Sequence, residues 1–191
     1  MNVLEGPAGH CRLLVVEGSL SGALNSGLVH AAGLADRLSR QFKTELCVVG
    51  QVDRRTKNRL KDQTTFRIKF MDTIPREQIP WLMRSSHLLF SAEVNPPCPN
   101  SVIEALSCGL PVIGFDTGSL SEIVQVDAGR LVPYGANHWK LQQPDIPALA
   151  DAALEVLQEQ ARFRKSARER AESVFGLDKM VDEYLKVLLG Q

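Results

Sequence analysis

The residues best suited to chemistry in this sequence are a proline-rich loop and a glutamate that follows it. The loop reads Asn95-Pro-Pro-Cys-Pro-Asn100, and its three prolines fix φ and carry no backbone donor. It leads to a predicted helix start, where the amides of Asn100, Ser101 and Val102 and the positive end of the helix dipole can hold a diphosphate. Glu104 lies one turn further on, where its carboxylate can accept hydrogen bonds from the two hydroxyls of a ribose. The alternative is that the prolines only shape a turn and that Glu104 only favours the first half of the helix.

Short apolar runs alternate along the chain with segments of helical period. Strands are predicted over residues 12–16, 45–49, 66–70, 87–91, 111–115 and 130–132. Helices are predicted over residues 28–40, 75–84 and 101–107, after Ser119 and along the C-terminal part, and 53–61 fits either a surface helix or a loop. This alternation predicts an α/β fold, a Rossmann-like parallel sheet with helices on both faces, plus C-terminal helices. We expect one domain over residues 1–191, with the sheet core in 10–143 and the C-terminal helices in 144–191.

Cap residues and aromatic residues add detail to these elements. Asn100 is predicted to be the N-cap of the helix that contains Glu104. Ser119 and Glu122 form a capping-box pattern at the start of a short helix. Trp81 and Trp139 are expected to be core or interface anchors rather than stacking platforms.

Two apolar stripes mark the C-terminal helices. The first is predicted to face the core, at Ile146, Leu149, Ala150, Ala153, Leu154 and Leu157. The second is expected to be core or a contact for a missing domain, at Leu177, Val181, Tyr184, Leu185 and Leu188. Exposure of this second stripe would favour self-association, so a homodimer is a possible assembly.

In an open parallel sheet, ligands bind beyond the carboxyl ends of the strands. The segments in such positions are Gly18 to Gly27, Phe70 to Thr73 and Glu93 to Glu104. The glycines of the first segment do not fit the G-x-G-x-x-G pattern, which argues against NAD or FAD.

Composition and charge exclude several classes of function. The 22 basic and 22 acidic residues balance, so no overall field indicates nucleic acid or an acidic membrane surface as a partner. No run approaches the roughly 20 apolar residues that a membrane span needs, and we expect a cytoplasmic protein. The histidines and cysteines show no metal-ligand spacing, so no metal is expected. The thiols are expected to be buried and reduced, at Cys11, Cys47, Cys98 and Cys108.

The run from Leu89 to Val132 resembles the donor-binding core of retaining GT-B glycosyltransferases of family 4, the glycosyl transferases group 1. That core has an acidic residue, seven others and a glutamate, then A-x-x-x-G-x-P-V-I, then a glycine turn with E-I-V and G-x-L-V. The residues that match in order are Glu104, Ala105, Gly109, Pro111, Val112, Ile113, Gly118, Glu122, Ile123, Val124, Gly129, Leu131 and Val132. The segment from Arg162 to Leu185 is similar to the terminal helices of the family, and the resemblance is weakest before Phe66.

The resemblance implies the C-terminal, donor-binding half of an enzyme that transfers a hexose from a UDP- or GDP-sugar. Glu104 would bind the ribose, and the amides of Asn100, Ser101 and Val102 would face the diphosphate or the sugar. The loop that contains Met71 and Asp72 would lie against the nucleobase, and Gly18 and Ser19 would belong to the glycine loop. No cofactor or metal is implied, and the acceptor would be held by an N-terminal domain that this chain lacks.

The sequence also departs from the family pattern. The first acid of the E-x7-E pair falls at Pro96, and Glu93 lies three residues too early to replace it. Ser19 and Ser26 stand where the family has the cations of its G-R-L and K-G motifs, and such cations stabilise a phosphoryl leaving group.

Three interpretations therefore remain for the chain. Substitute cations at Arg12, Arg54 or Arg55 would favour a donor-binding half that is catalytic in its full context. Without them, a degenerate, non-catalytic module that binds a nucleotide or another protein is the alternative. A sugar-nucleotide epimerase fits the architecture but not the spacing between Ser101 and Val132.

Overall fold

The computed structural model describes residues 9–20, 25–125 and 127–190, and only the backbone of Asn25. Within them the chain builds a six-stranded parallel sheet in the order β3-β2-β1-β4-β5-β6. The strands are β1 (His10–Ser19), β2 (Lys43–Gln51), β3 (Arg67–Asp72), β4 (Leu88–Phe90), β5 (Val112–Phe115) and β6 (Gly129–Val132). Each lies on a predicted strand, and the predicted Rossmann-like α/β fold is confirmed.

The helices follow the strands in alternation along the described residues. They are α1 (Asn25–Leu38), α2 (Arg54–Gln63), α3 (Ile79–Arg84), α4 (Asn100–Ser107), α5 (Leu120–Ile123), α6 (Ile146–Gln158), α7 (Gln160–Val174) and α8 (Leu177–Leu189). Short 3-10 turns at Arg76–Gln78 and His138–Lys140 complete the connections. Pro80 lies in the first turn of α3, where its missing N–H costs nothing. None of the helices in the described parts of the chain is long and apolar enough to cross a membrane.

Apolar residues on both faces of the sheet explain why the strands are nearly continuous hydrophobic runs. In β1, Leu13 and Val15 face the cluster that includes α1 and α6, whereas Leu14 faces the cluster that includes α3, α4 and α5. α6 buries its predicted stripe against the sheet through Leu149, Ala153 and other residues, so it is part of the main core.

Two predicted caps are wrong in their chemistry. The N-cap of α4 is Pro99, not Asn100, and it makes no side-chain cap hydrogen bond because proline has no side-chain acceptor. Ser119 is the N-cap of α5, but its hydroxyl donates to the carbonyl of Pro96 at 3.2 Å and so does not form the capping box. The hydroxyl of Ser119 thus bonds to the loop before α4 instead of capping α5.

The expectation that the tryptophans could be core residues is also wrong. Trp81 is 68% exposed and Trp139 is 77% exposed. Trp139 lies on a 3-10 turn outside any periodic element, so its apolar character does not force it inward. Among the cysteines, Cys11 and Cys47 are buried as expected, but Cys98 is exposed and Cys108 is half-buried.

Candidate functional site

A cleft of about 420 Å³ opens at the carboxyl edge of the sheet, between the end of β1 and the loop after β4. The strand order reverses at this point, and ligands of open α/β sheets bind in such crevices. The described residues that line it come from β1, α1 and the loops after β4 and β6. They are Glu17, Gly18, Ser19, Leu20, Ser26, Ala92, Glu93, Val94, Asn95 and Leu141. The predicted residues Gly18 and Ser19 thus lie in the cleft, whereas positions 21–24 of the predicted glycine loop fall outside the described residues.

Close backbone contacts hold the walls of the cleft in place. A Cβ on Gly27 would lie 1.7 Å from the carbonyl oxygen of Ala92, so glycine lets α1 begin directly against the end of β4. Gly118 has a φ of 57°, and a Cβ there would lie 2.3 Å from the oxygen of Pro96. The amide of Ser119 donates to the same oxygen at 2.9 Å. The proline loop is therefore fixed by the turn between β5 and α5.

The start of α4 carries two amides that a ligand can reach. Among the described residues, no hydrogen bond uses the backbone N–H of Asn100 or Ser101. The amide of Val102 donates to the oxygen of Pro99 at 3.0 Å, and the Val102 side chain is fully buried. Of the three predicted amides, those of Asn100 and Ser101 are consequently the ones open to an anion.

Glu104 lies outside the cleft, in a neighbouring groove of about 380 Å³ between α3 and α4. Its side chain is 46% exposed, and its Oε1 is 3.9 Å from Nη2 of Arg76. Such an exposed, long ion pair contributes little to stability, so both groups remain free to bind a ligand. Arg76 was not predicted as a site residue, because the link between a turn after β3 and a helix after β4 leaves no local pattern in the sequence.

Met71 and Asp72 lie at the end of β3, on the same edge of the sheet but beyond β2 from the cleft. The carboxylate of Asp72 forms an ion pair with Lys57 of α2. Met71 is half-buried against the core on the α3 and α4 side. The structure thus places the predicted residues at one edge, in three groups: the cleft, the α4 region and the end of β3.

The electrostatics of the cleft are acidic rather than basic. Ser19 and Ser26 line it without charge, and the carboxyl groups of Glu17 and Glu93 add negative charge. The pKa of Glu17 is raised to about 7, mainly by burial and also by the charge of Glu93, against hydrogen bonds from the amides of Ala92 and Glu93 that lower it. The sequence showed Glu17 as the last residue of a buried strand before a glycine, but its role at the cleft went unpredicted.

The structure excludes one of the three substitute cations. Arg12 lies near the amino end of β1, with its Nε 2.8 Å from Oε2 of Glu45 and its Nη1 donating to the oxygen of Ser85 at 3.0 Å. It is therefore far along the strand from the cleft and already paired. Arg54 and Arg55 are exposed at the start of α2, on the edge where ligands bind. Within residues 9–20, 25–125 and 127–190, no three His, Cys, Asp or Glu side chains are grouped as metal ligands.

The sheet order, the crevice at its reversal point and the open helix start define a Rossmann-like domain with a candidate ligand site at its carboxyl edge. The model of the family glycosyl transferases group 1 matches residues 13–159, and the chain belongs to this family. The resemblance inferred from the segment Leu89 to Val132 is thereby confirmed.

Relatives of known name are glycosyltransferases or share the fold. A 2-deoxystreptamine N-acetyl-D-glucosaminyltransferase from Streptomyces fradiae is 28% identical over 111 residues, which are 58% of this chain and 24% of that protein. The sucrose-phosphate synthase of Thermosynechococcus elongatus superposes with a TM-score of 0.72 at 23% identity, covering 97% of this chain and 47% of that one. The Anabaena protein HepE, solved with UDP-glucose, gives a TM-score of 0.68 at 19% identity, covering 96% and 50%. The chain thus spans half or less of the length of these relatives.

Proposed function

We propose that this chain is the donor-binding, C-terminal half of a glycosyltransferase that transfers a hexose from a UDP- or GDP-sugar. The start of α4 carries the proposal, because the amides of Asn100 and Ser101 are open at a helix N-terminus beside the cleft. A diphosphate there would extend from these amides toward Gly18 and Ser19. The ribose would lie by Glu104, and the base toward Met71 and Asp72.

Arg76 supplies a cation that the sequence pattern lacks. Its guanidinium is 91% exposed and lies 3.9 Å from the Glu104 carboxylate. From that position it can approach a phosphate without disturbing the fold, since its side chain is almost fully exposed. It would offset part of the charge that the missing cations at Ser19 and Ser26 leave unbalanced.

Transfer requires a second wall for the cleft, which we assign to an N-terminal domain that holds the acceptor. This chain covers half or less of its relatives, in keeping with one half of a two-domain enzyme. We therefore expect the isolated chain to bind the donor but not to turn it over.

A degenerate module without transfer activity is the second candidate. The observation in its favour is the acidic cleft, in which Glu17 and Glu93 replace the positive charge that a diphosphate would need. Pro96, in the place of the family's first acid, cannot hold sugar hydroxyls. This candidate predicts that the chain binds no nucleotide with a dissociation constant tighter than the millimolar range.

Calorimetric titration of the chain with UDP and GDP tests the proposal. The substitution E104A should weaken binding of the preferred nucleotide at least about tenfold, because two charge-assisted hydrogen bonds to the ribose are lost. E169A is the matched control, since Glu169 is an exposed glutamate on α7 paired with Lys165 at 3.7 Å. An E104A protein that binds as tightly as wild type would remove Glu104 from the site. A wild-type chain that binds neither nucleotide would favour the degenerate module.

A further inference from the structure

Trp139 lies on the 3-10 turn His138–Lys140, and hydrogen bonds hold the backbone of this turn in place. The side-chain oxygen of Asn137 accepts from the amide of Lys140 at 3.0 Å. The side chain of Gln142 accepts from the amide of Asn137 at 3.0 Å, and the Tyr134 hydroxyl donates to the Gln142 carbonyl at 2.8 Å. These bonds fix the backbone on both sides of Trp139, so the point from which its side chain projects is defined.

The same turn is attached to the wall of the cleft. Nδ1 of His138 donates to Oδ1 of Asn95, which lines the cleft, and the His138 ring centroid is 5.2 Å from that of Trp139. Leu141 lines the cleft from the other end of the turn, with a φ of 49° and 48% of its surface exposed. The turn that carries Trp139 is therefore next to the mouth of the cleft, because His138 bonds to Asn95 on one side and Leu141 lines the cleft on the other.

The exposure of Trp139 is unusual for so large an apolar surface. The indole is 77% exposed to solvent, although several side chains of the same turn form hydrogen bonds that order its backbone. Large exposed aromatic groups beside polar clefts mark binding surfaces, because the ring offers a flat apolar area at low entropic cost.

We propose that Trp139 is a stacking platform for a pyranose ring at the mouth of the cleft. A pyranose has a face of C–H groups, which fits an indole, and a rim of hydroxyls, which fits a hydrogen-bonding wall. That wall is present in Ser19, Glu93 and Asn95, all of which line the cleft. The assignment rests on the proposed function, and the ring can belong to the donor hexose or to an acceptor sugar.

Fluorescence provides a direct test, because the chain has two tryptophans. In W81F, Trp139 is the remaining indole, and its emission should shift to the blue and change in intensity when a probe that carries a pyranose ring binds, with UDP-glucose and GDP-mannose as the donor probes. UDP or GDP alone should leave it unchanged. W139F is the matched control, in which Trp81 on α3 should respond to none of these probes. If the ring is the donor hexose, W139A should weaken the binding of UDP-glucose or GDP-mannose about tenfold by calorimetry and leave that of UDP or GDP within about twofold.

Methyl α-D-glucopyranoside and methyl α-D-mannopyranoside separate the two sources of the ring. A Trp139 response to the sugar nucleotides alone assigns the platform to the donor hexose, and a response to the free glycosides assigns it to an acceptor sugar. A Trp139 that responds neither to the sugar nucleotides nor to the glycosides, in a chain that binds UDP-glucose or GDP-mannose, would overturn the platform and leave the proposed function standing. An equal response to UDP or GDP without sugar would also overturn it.

The remaining outcomes separate the two proposals further. A glycoside response in a chain that binds no nucleotide would support the platform and contradict donor binding. A chain whose Trp139 responds to no saccharide and that binds no nucleotide would contradict both.

Discussion

Glu17 places a carboxyl group in a cleft that a diphosphate would share. Burial, with the charge of Glu93 in the same direction, raises its pKa to about 7. The protonated carboxyl removes a repulsive charge and can donate a hydrogen bond to an anion. Near neutral pH the cleft therefore exists in two charge states, one with Glu17 protonated and one with Glu17 ionised.

The pKa of Glu17 also makes folding depend on pH. The folded state binds the proton more tightly than the unfolded chain, so the stability from Glu17 is fully present below about pH 4.5 and is lost as pH rises through about 7. E17Q keeps the shape and loses the titration. The decline in the free energy of unfolding across this range should be smaller in E17Q than in wild type, as measured by urea denaturation at a series of pH values.

The control for this prediction is E104Q, because Glu104 is an exposed carboxyl outside the cleft. It should retain the pH dependence of wild type. An E17Q protein with an unchanged dependence would show that Glu17 titrates in the folded state as it does in the unfolded one.

Among the elements, α7 has a role beyond packing, because Arg164 joins the ends of two other helices. Its Nη1 donates to the carbonyl of Gly109 at 3.0 Å, just after α4, and its Nη2 donates to the carbonyls of Arg84 and Ser86, at the end of α3. A cation is stabilising at helix C-termini, where unpaired carbonyls carry partial negative charge. Burial lowers the pKa of Arg164, and these carbonyls take the place of a carboxylate partner, which Arg164 does not have among the described residues.

R164M should lower the free energy of unfolding by about 3 kcal/mol, since it leaves buried carbonyls at two helix ends without their donor. K165M is the matched control, because Lys165 is exposed and its pair with Glu169 is 3.7 Å long. It should change stability by about 0.5 kcal/mol or less. Equal effects of the two substitutions in denaturant unfolding would contradict the proposed role of Arg164.

The elements themselves were predictable from the sequence, and their ends and contacts were less so. β2 and β5 contain short apolar runs with β-branched residues and a flanking glycine or proline, and these features favour strands over buried helices. The predicted N-cap of α4 was one residue too late, because asparagine is a strong cap former in the local sequence. The loop before α4 is positioned by a non-local contact, in which the amide of Ser119 donates to the oxygen of Pro96. For the same reason the pairing of Arg76 with Glu104 and the acidic wall at Glu17 could be found only once the strands were ordered in space.

At the scale of the whole molecule, α8 leaves a large apolar surface uncovered. Its exposed residues are Leu177, Met180, Val181, Tyr184, Leu185, Val187, Leu188 and Leu189. All five residues of the predicted second stripe are exposed here, so the prediction that this stripe is core is wrong, and the alternative, a contact for a missing domain, stays a prediction. In the chain alone such a surface favours self-association.

The isolated chain should therefore form dimers or larger species as its concentration rises, as measured by light scattering or sedimentation. The double substitution V181K/L185E should shift this equilibrium toward the monomer, because it puts charges in the middle of the exposed face. V29E, a charge at an exposed apolar position on α1, is the control and should leave association unchanged. A wild-type chain that stays monomeric at high concentration would contradict the prediction.

The shortness of β4 has a consequence for how the cleft receives a ligand. β1 is ten residues long, but its ladder with β4 joins only Leu13 to Leu88 and Leu14 to Leu89. Beyond these pairs the two strands diverge, and the amides of Ala92 and Glu93 are met by the side chain of Glu17 instead of by backbone. The crevice thus lies where the pairing of β1 with β4 ends, so the fold itself forms it without a ligand. None of the binding free energy has to be used to separate strands, which is how a preorganised site retains affinity.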